Sequence, residues 1–248
     1  NMDGSFTVTL FLGHEEGIYN FKDLSTEEKI THFFQEQFPD ALALIPNIAK
    51  EFANNPTGAL GTIKCAPWHY QNKTLILGDA AHAVVPFYGQ GMNASFEDVV
   101  VLDAVLNEHT GNGPTNQTDW EAIFKAYEKA RKTNADAIGQ LAVENYYEMR
   151  DHVANPLFKE KRKIEMDLER NFPTEYFSKY SMVTFNEEIG YDEAMKKGRA
   201  QDKALLNLIA DASISTSLEM SKEELKIVLN KVQEQTNEIL EEDKIAGL

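Results

Sequence analysis

The sequence is poor in cysteine, in cationic residues and in long apolar runs, and each shortage excludes a class of protein. Its 248 residues contain one cysteine, Cys65. That thiol cannot close a disulfide within the chain, and no Cys/His cluster falls at zinc-site spacing, so neither a disulfide framework nor a metal centre is expected. The cysteine usage is compatible with a reducing, cytoplasmic setting. Lysine and arginine together number 24 against 40 aspartates and glutamates, a formal net charge of −16. Phosphate contacts and anionic lipid both demand a basic surface, which excludes a nucleic-acid scaffold and a polybasic membrane patch. The longest apolar stretch, Ala41-Leu42-Ala43-Leu44-Ile45, is stopped by Pro46 and falls far short of the roughly 20 residues that cross a bilayer. The opening Asn1-Met2-Asp3-Gly4-Ser5 is polar and shows no leader pattern. A soluble protein is expected, without nucleic-acid partners and without a membrane segment in this chain.

What is present suffices for a packed core: 42% hydrophobic residues, with 14 Phe and 9 Tyr. Residues 5–12 alternate β-branched and aromatic types in a strand pattern. A strand so near the first residue has no local partner, which suggests a piece of a longer chain or an N-terminal edge strand. The capping box Ser25-Thr26-Glu27-Glu28 opens a helix with Ile30, Phe33, Phe34 and Phe38 on one face. Pro39 ends it, a second short helix follows to about Phe52, and residues 60–67 read as extended. Residues 73–77 form a short apolar run expected of a strand buried on both faces. A helix is expected over 92–106, a polar loop over 110–118, and long helices over 120–153 and 156–171. A second capping box, Ser221-Lys222-Glu223-Glu224, starts an acidic amphipathic tail helix.

The chemistry lies in residues 75–98, LILGDAAHAVVPFYGQGMNASFED. A buried strand runs into an acid, Asp79, and then into a glycine-bearing turn and a helix. Ligands of open α/β sheets bind at the carboxyl ends of strands. Gly89 and Gly91 permit close backbone approach, and the amides of Gly91, Met92 and Asn93 project from a helix start that favours negative charge. Asp79 is the opposite tool, a carboxylate suited to sugar or polyol hydroxyls. Taken bare, residues 89–94 match GxGxxA, but their strand lies ten residues upstream, and a plain loop-to-helix turn reads equally well. His82, with no Ser or Cys nucleophile motif beside it, reads as structural.

The longer string resembles the second flavin-binding motif of the class A flavoprotein aromatic hydroxylases. Within that family, residues 82–93 are most similar to the branch that acts on L-kynurenine. The resemblance extends to Asn1-Met2-Asp3-Gly4-Ser5-Phe6-Thr7-Val8-Thr9-Leu10-Phe11, to Asn145-Tyr146-Tyr147-Glu148-Met149-Arg150 and to Tyr180-Ser181-Met182-Val183-Thr184-Phe185, covering roughly residues 1–200. It implies an α/β (α+β) chain, the C-terminal half of a Rossmann-like FAD/NAD(P)-binding monooxygenase. Residues 1–70 would be the remainder of the substrate-domain β-sheet with its helices. Residues 71–110 would be the last part of the FAD-binding domain, and 111–248 a C-terminal helical region.

The resemblance further implies FAD as cofactor, NADPH as co-substrate, and L-kynurenine and O2 as substrates. Asp79 would hold the flavin ribityl chain, with the backbone of Gly89, Gly91, Met92 and Asn93 at the pyrimidine edge. Pro86, Phe87 and Tyr88 would form the catalytic pocket's walls. Gln90 would meet the substrate there or only tie the loop. Thr9 and Phe11 would line the pocket from the first sheet, and Asn145 and Tyr180 would meet the amino-acid end of the substrate. For Tyr180, a half-buried ring with a wet hydroxyl is the alternative. The family's N-terminal half, with its GxGxxG turn, has no counterpart in this chain and is the expected partner. The polar tail departs from the hydrophobic anchor of eukaryotic members and suggests a bacterial type. Two rivals stay open, a class A hydroxylase of another aromatic acid and a non-enzymatic helical interaction domain.

Overall fold

The computed structural model describes residues 1–111, 113–153, 155–214 and 220–246. The chain divides into two compact units, 1–59 and 60–248. In the first unit, α1 (Glu27–Gln37) starts one residue later than the capping box suggests. Its cap is Thr26, whose hydroxyl accepts from the Lys29 amide. Helical spacing places Ile30, Phe33 and Phe34 on one face, buried with Leu24 and Ile48. Pro39 opens α2 (Pro39–Leu44), since a proline at the first helical position loses no bond. The single helix expected to follow is two, because Pro46 interrupts it before α3 (Ile48–Asn54).

The strand expected over 5–12 does not form. Among the described residues this unit holds one isolated bridge, Gly13 with Asn20, and no ladder. A strand exists only through its neighbour's hydrogen bonds, and among the described residues no neighbouring strand is present. The alternation survives nonetheless. Leu10 and Leu12 pack against the α1 cluster, while Thr9 and Phe11 are exposed.

In the second unit, β1 (His69–Tyr70) and β2 (Thr74–Leu75) pair antiparallel, with His69 opposite Leu75. The run 73–77 was expected to be buried on both faces; instead Leu75, Ile76 and Leu77 are only partly buried. A fully buried strand needs neighbours on both edges, and this one has a single two-residue partner among the described residues. The chain then forms α4 (Asp79–His82), a 3-10 turn (Pro86–Tyr88) and α5 (Gly91–Thr110). Helix α6 (Trp120–Tyr147) ends before the expected 153, giving way to a π-helical turn, Glu148–His152. Next come α7 (Pro156–Asn171), α8 (Lys179–Phe185), α9 (Tyr191–Ala210) and α10 (Lys222–Ala246). Helix α6 packs on α5, α9 and the 3-10 turn, and α9 packs on α7, α8 and α10. Among the described residues no helix is long and apolar enough to cross a membrane.

The tail helix shows how local sequence rules set an element. Glu224 Oε2 accepts from the Ser221 amide at 2.7 Å, and Ser221 Oγ accepts from the Glu224 amide at 3.2 Å, a reciprocal capping box. Its apolar face buries Leu225, Val228, Leu229 and Val232 against α7 and α9 residues such as Leu168 and Leu205. Replacing Ser221 with alanine is expected to lower chain stability by about 1 kcal/mol in equilibrium urea unfolding, with the slope unchanged.

Candidate functional site

The turn from β2 into α4 is held by one buried carboxylate. Asp98, on α5 and fully buried, accepts from the Gly78 amide at 2.8 Å and from His82 Nε2 at 2.6 Å through Oδ2. Its Oδ1 accepts from Arg131 Nε of α6 at 2.8 Å. A carboxylate can only accept, so the His82 proton sits on Nε2. Arg131, also buried, reaches the Ala94 carbonyl at 3.2 Å and Glu97 Oε1 at 2.9 Å. Burial pushes the Asp98 carboxyl up, but hydrogen bonds from His82, Gly78 and Arg131 outweigh it and bring it down to about 2. Around this network Trp68 packs on His82 and Tyr127, with ring centroids 5.3 and 6.0 Å apart. Burial, then the Asp98 charge, push the Tyr127 hydroxyl up, so it stays protonated.

Gly78 shows why this turn needs glycine. Its φ is 60°, and a Cβ there would lie 3.4 Å from Ser95 Oγ of α5. The turn is therefore pressed against the first turns of α5. Asp79 follows at the first position of α4, exposed and without a hydrogen-bond partner among the described residues. At the start of α5, the amides of Gly91, Met92 and Asn93 have no acceptor within the helix. Acids occupy the first turns of α1, α2, α3, α4, α6, α9 and α10, whereas α5, α7 and α8 have none. Its positive dipole end is left uncompensated.

The remaining expected site residues fall into two groups. Tyr88 is buried and stacks on Tyr180, centroids 5.8 Å apart and planes at 24°. Burial, followed by the Glu148 and Asp202 charges, pushes the Tyr88 hydroxyl up, keeping it a donor. Phe87 packs on Tyr146 at 4.8 Å, and Asn145 Nδ2 donates to the Phe87 carbonyl at 2.6 Å. The structure thus gathers Phe87, Tyr88, Asn145 and Tyr180 around the 3-10 turn, with Pro86 exposed at its start. Gln90 is buried and accepts from Asn93 Nδ2 at 2.8 Å, tying the loop. Gly89 takes φ 72°, and Gly91 lies against Val84. Met92 is 69% exposed. Thr9 and Phe11 belong to the first unit.

A sequence-family model described as an FAD binding domain matches residues 44–142. The kynurenine 3-monooxygenase of Dictyostelium discoideum is 45% identical over 84% of this chain and 46% of its own length. That of Myxococcus xanthus is 48% identical over 81% of this chain and 41% of its own length. The chain is a relative of the kynurenine 3-monooxygenases. A third, from Flavobacterium psychrophilum, is 42% identical over 92% of this chain and 49% of its own length. The chain spans just under half the length of these kynurenine 3-monooxygenases.

Asp98, His82 and Arg131 carry the turn, and only His82 was weighed from sequence, as structural, which its buried hydrogen bond bears out. One signal for Asp98 was available. Asp98 follows Glu97 and runs straight into the apolar stretch Val99-Val100-Val101-Leu102, and an acid buried with such a stretch must find a partner. Replacing Asp98 with alanine leaves Arg131 buried beside Glu97 alone and is expected to cost about 3–5 kcal/mol in urea unfolding. The folded-state carboxyl lies at about 2, below its ordinary 3.8. Its contribution is therefore complete above about pH 4 and lost as pH falls towards 2. Stability curves of wild type and Asp98→Asn should accordingly converge in that window.

Proposed function

We propose that this chain is the flavin-gripping and substrate-facing part of an FAD- and NADPH-dependent monooxygenase that hydroxylates L-kynurenine to 3-hydroxykynurenine. The observation that carries the reading is the Asp98-held turn, which fixes Gly78, the residue before the exposed carboxylate Asp79, against Ser95 of α5, a helix whose own first turn has no acid. The donor set suits FAD. Asp79 accepts from ribityl hydroxyls, and the amides of Gly91, Met92 and Asn93 meet the pyrimidine edge, where a reduced flavin carries negative charge. When bound and reduced by NADPH, the flavin supplies the activation of O2 and the transfer of one oxygen atom to an electron-rich ring.

The chain's own residues do the rest. Phe87 and Tyr88 wall the ring and exclude water. The protonated Tyr88 hydroxyl stays a neutral donor, and Tyr180 stacks against it to face the amino-acid end of the substrate. Asn145 has its Nδ2 engaged by the Phe87 carbonyl and the Met149 sulfur, leaving Oδ1 to accept from the substrate ammonium. Residues 1–70, 71–110 and 111–248 serve as substrate-sheet remainder, flavin-domain end and helical region in this proposal. Met92, Phe96, Val99 and Val100, each more than half exposed along α5, are covered by the N-terminal half of the same polypeptide.

A second reading, a class A hydroxylase of another aromatic acid, draws support from the commitment of the Asn145 amide to backbone. The test uses the full-length protein containing this chain. Purified, it should be yellow and oxidise NADPH faster with L-kynurenine than with 4-hydroxybenzoate. The reverse preference would select the second reading, and colourless protein with no FAD uptake would defeat both. Replacing Asp79 with alanine removes a charged hydrogen-bond acceptor and is expected to weaken FAD binding by about 10- to 100-fold in a fluorescence titration. Residues 1–248 alone should bind FAD poorly and show no turnover.

A further inference from the structure

Lys179, the first residue of α8, is seated by groups that the proposed chemistry leaves unused. Its Nζ lies 2.7 Å from Asp202 Oδ2 of α9 and 3.9 Å from Glu148 Oε2 of the π-helical turn. The other Asp202 oxygen takes Lys161 of α7, which also pairs with Glu165 at 3.4 Å. Burial pushes the Asp202 carboxyl up, and the ammonium groups of Lys179 and Lys161 outweigh it, holding it below the ordinary range. The lysine's aliphatic stem lies across Gly198. A Cβ built on that glycine would fall 2.5 Å from Lys179 Cγ and 2.6 Å from its Cβ. Gly198 and Asp202 are four residues apart and share one face of α9. That face offers a notch for the stem of one lysine and a carboxylate for its head.

The preceding residue is pinned as firmly. Ser178, 1% exposed, caps α8 by accepting from the Ser181 amide, and its own amide donates to Glu169 Oε1 of α7 at 2.7 Å. Met182 and Val183 already bury α8 against the core. Cohesion of α8 therefore does not require a seated lysine, and an ion pair this secluded adds little net stability. What it does fix is the direction of the first turn, where the next residue is Tyr180. That ring stacks on Tyr88 on one side and meets Phe185 edge-on at 6.1 Å on the other.

We propose that Lys179, seated by Gly198 and Asp202, is a positioning residue that orients Tyr180 against Tyr88 and thereby sets affinity for the substrate's amino-acid end. The inference rests on the kynurenine reading above. Its test is a double-mutant cycle in the full-length flavoprotein, following NADPH oxidation at varied L-kynurenine. Lys179→Met should raise KM about tenfold while kcat and FAD occupancy stay within about twofold, a loss of roughly 1.4 kcal/mol in binding. Gly198→Ala displaces the stem without removing charge and should act in the same direction, which keeps the test alive if Lys179→Met fails to fold. In a Tyr180→Ala background neither change should raise KM further, because both act through that ring. An equal rise in both backgrounds, or an unchanged KM, would overturn the proposal. A wild type that gives no L-kynurenine response would remove the underlying reading, and the inference with it.

Discussion

The Asp98 carboxylate is the constraint on which the candidate site depends. Taking an ionised carboxylate out of water costs several kcal/mol unless its lone pairs are answered. Here the answer comes from a backbone amide and an imidazole of the β2–α4 segment and from a guanidinium of α6. The β2–α4 turn, α5 and α6 therefore cannot separate without exposing an unpaired charge to the interior. Because Gly78 is one of the three donors and packs against Ser95 of α5, the residue after it, Asp79, inherits a fixed place next to that contact. A buried group with no part in the proposed chemistry thus determines where an exposed group assigned to flavin binding in that proposal must stand.

A chain with a net charge of −16 could be expected to repel an anionic cofactor. The distribution of acids resolves this. Seven helices carry a carboxylate in the first turn, but α5, like α7 and α8, does not, and its leading amides are left to an outside acceptor. In the proposed function the negative charge of Asp79 meets hydroxyls, and the amides of α5 meet the reduced ring. One short segment separates the two tasks by electrostatic sign.

Features set by neighbouring residues were legible before the fold was known. The bounds of α7 follow from Asn155 capping ahead of Pro156 and from Pro173, which turns Phe172 out of the helical conformation. The Ser221–Glu224 box announces α10 in four letters. The cluster of Phe87, Tyr88, Asn145 and Tyr180 was legible only through family resemblance, since its members lie up to 93 positions apart. Non-local facts escaped. Alternation at 5–12 could not say that no neighbouring strand would be present, and the run 73–77 could not reveal a single partner of two residues. The Asp98–Arg131 pair spans 33 positions and no spacing rule connects them. The π-helical turn at Glu148–His152 continues a helical pattern without a break in composition.

Amide hydrogen exchange at Gly78 tests the central claim most directly. If its N–H is held by the buried Asp98 carboxylate, it should exchange only on global opening, at a rate near that of the α6 core amides. The same amide in Asp98→Ala should exchange far faster. Exchange of the wild-type Gly78 amide at the rate of an unstructured peptide would show that the turn is not held, and the placement of Asp79 beside α5 would lose its physical basis.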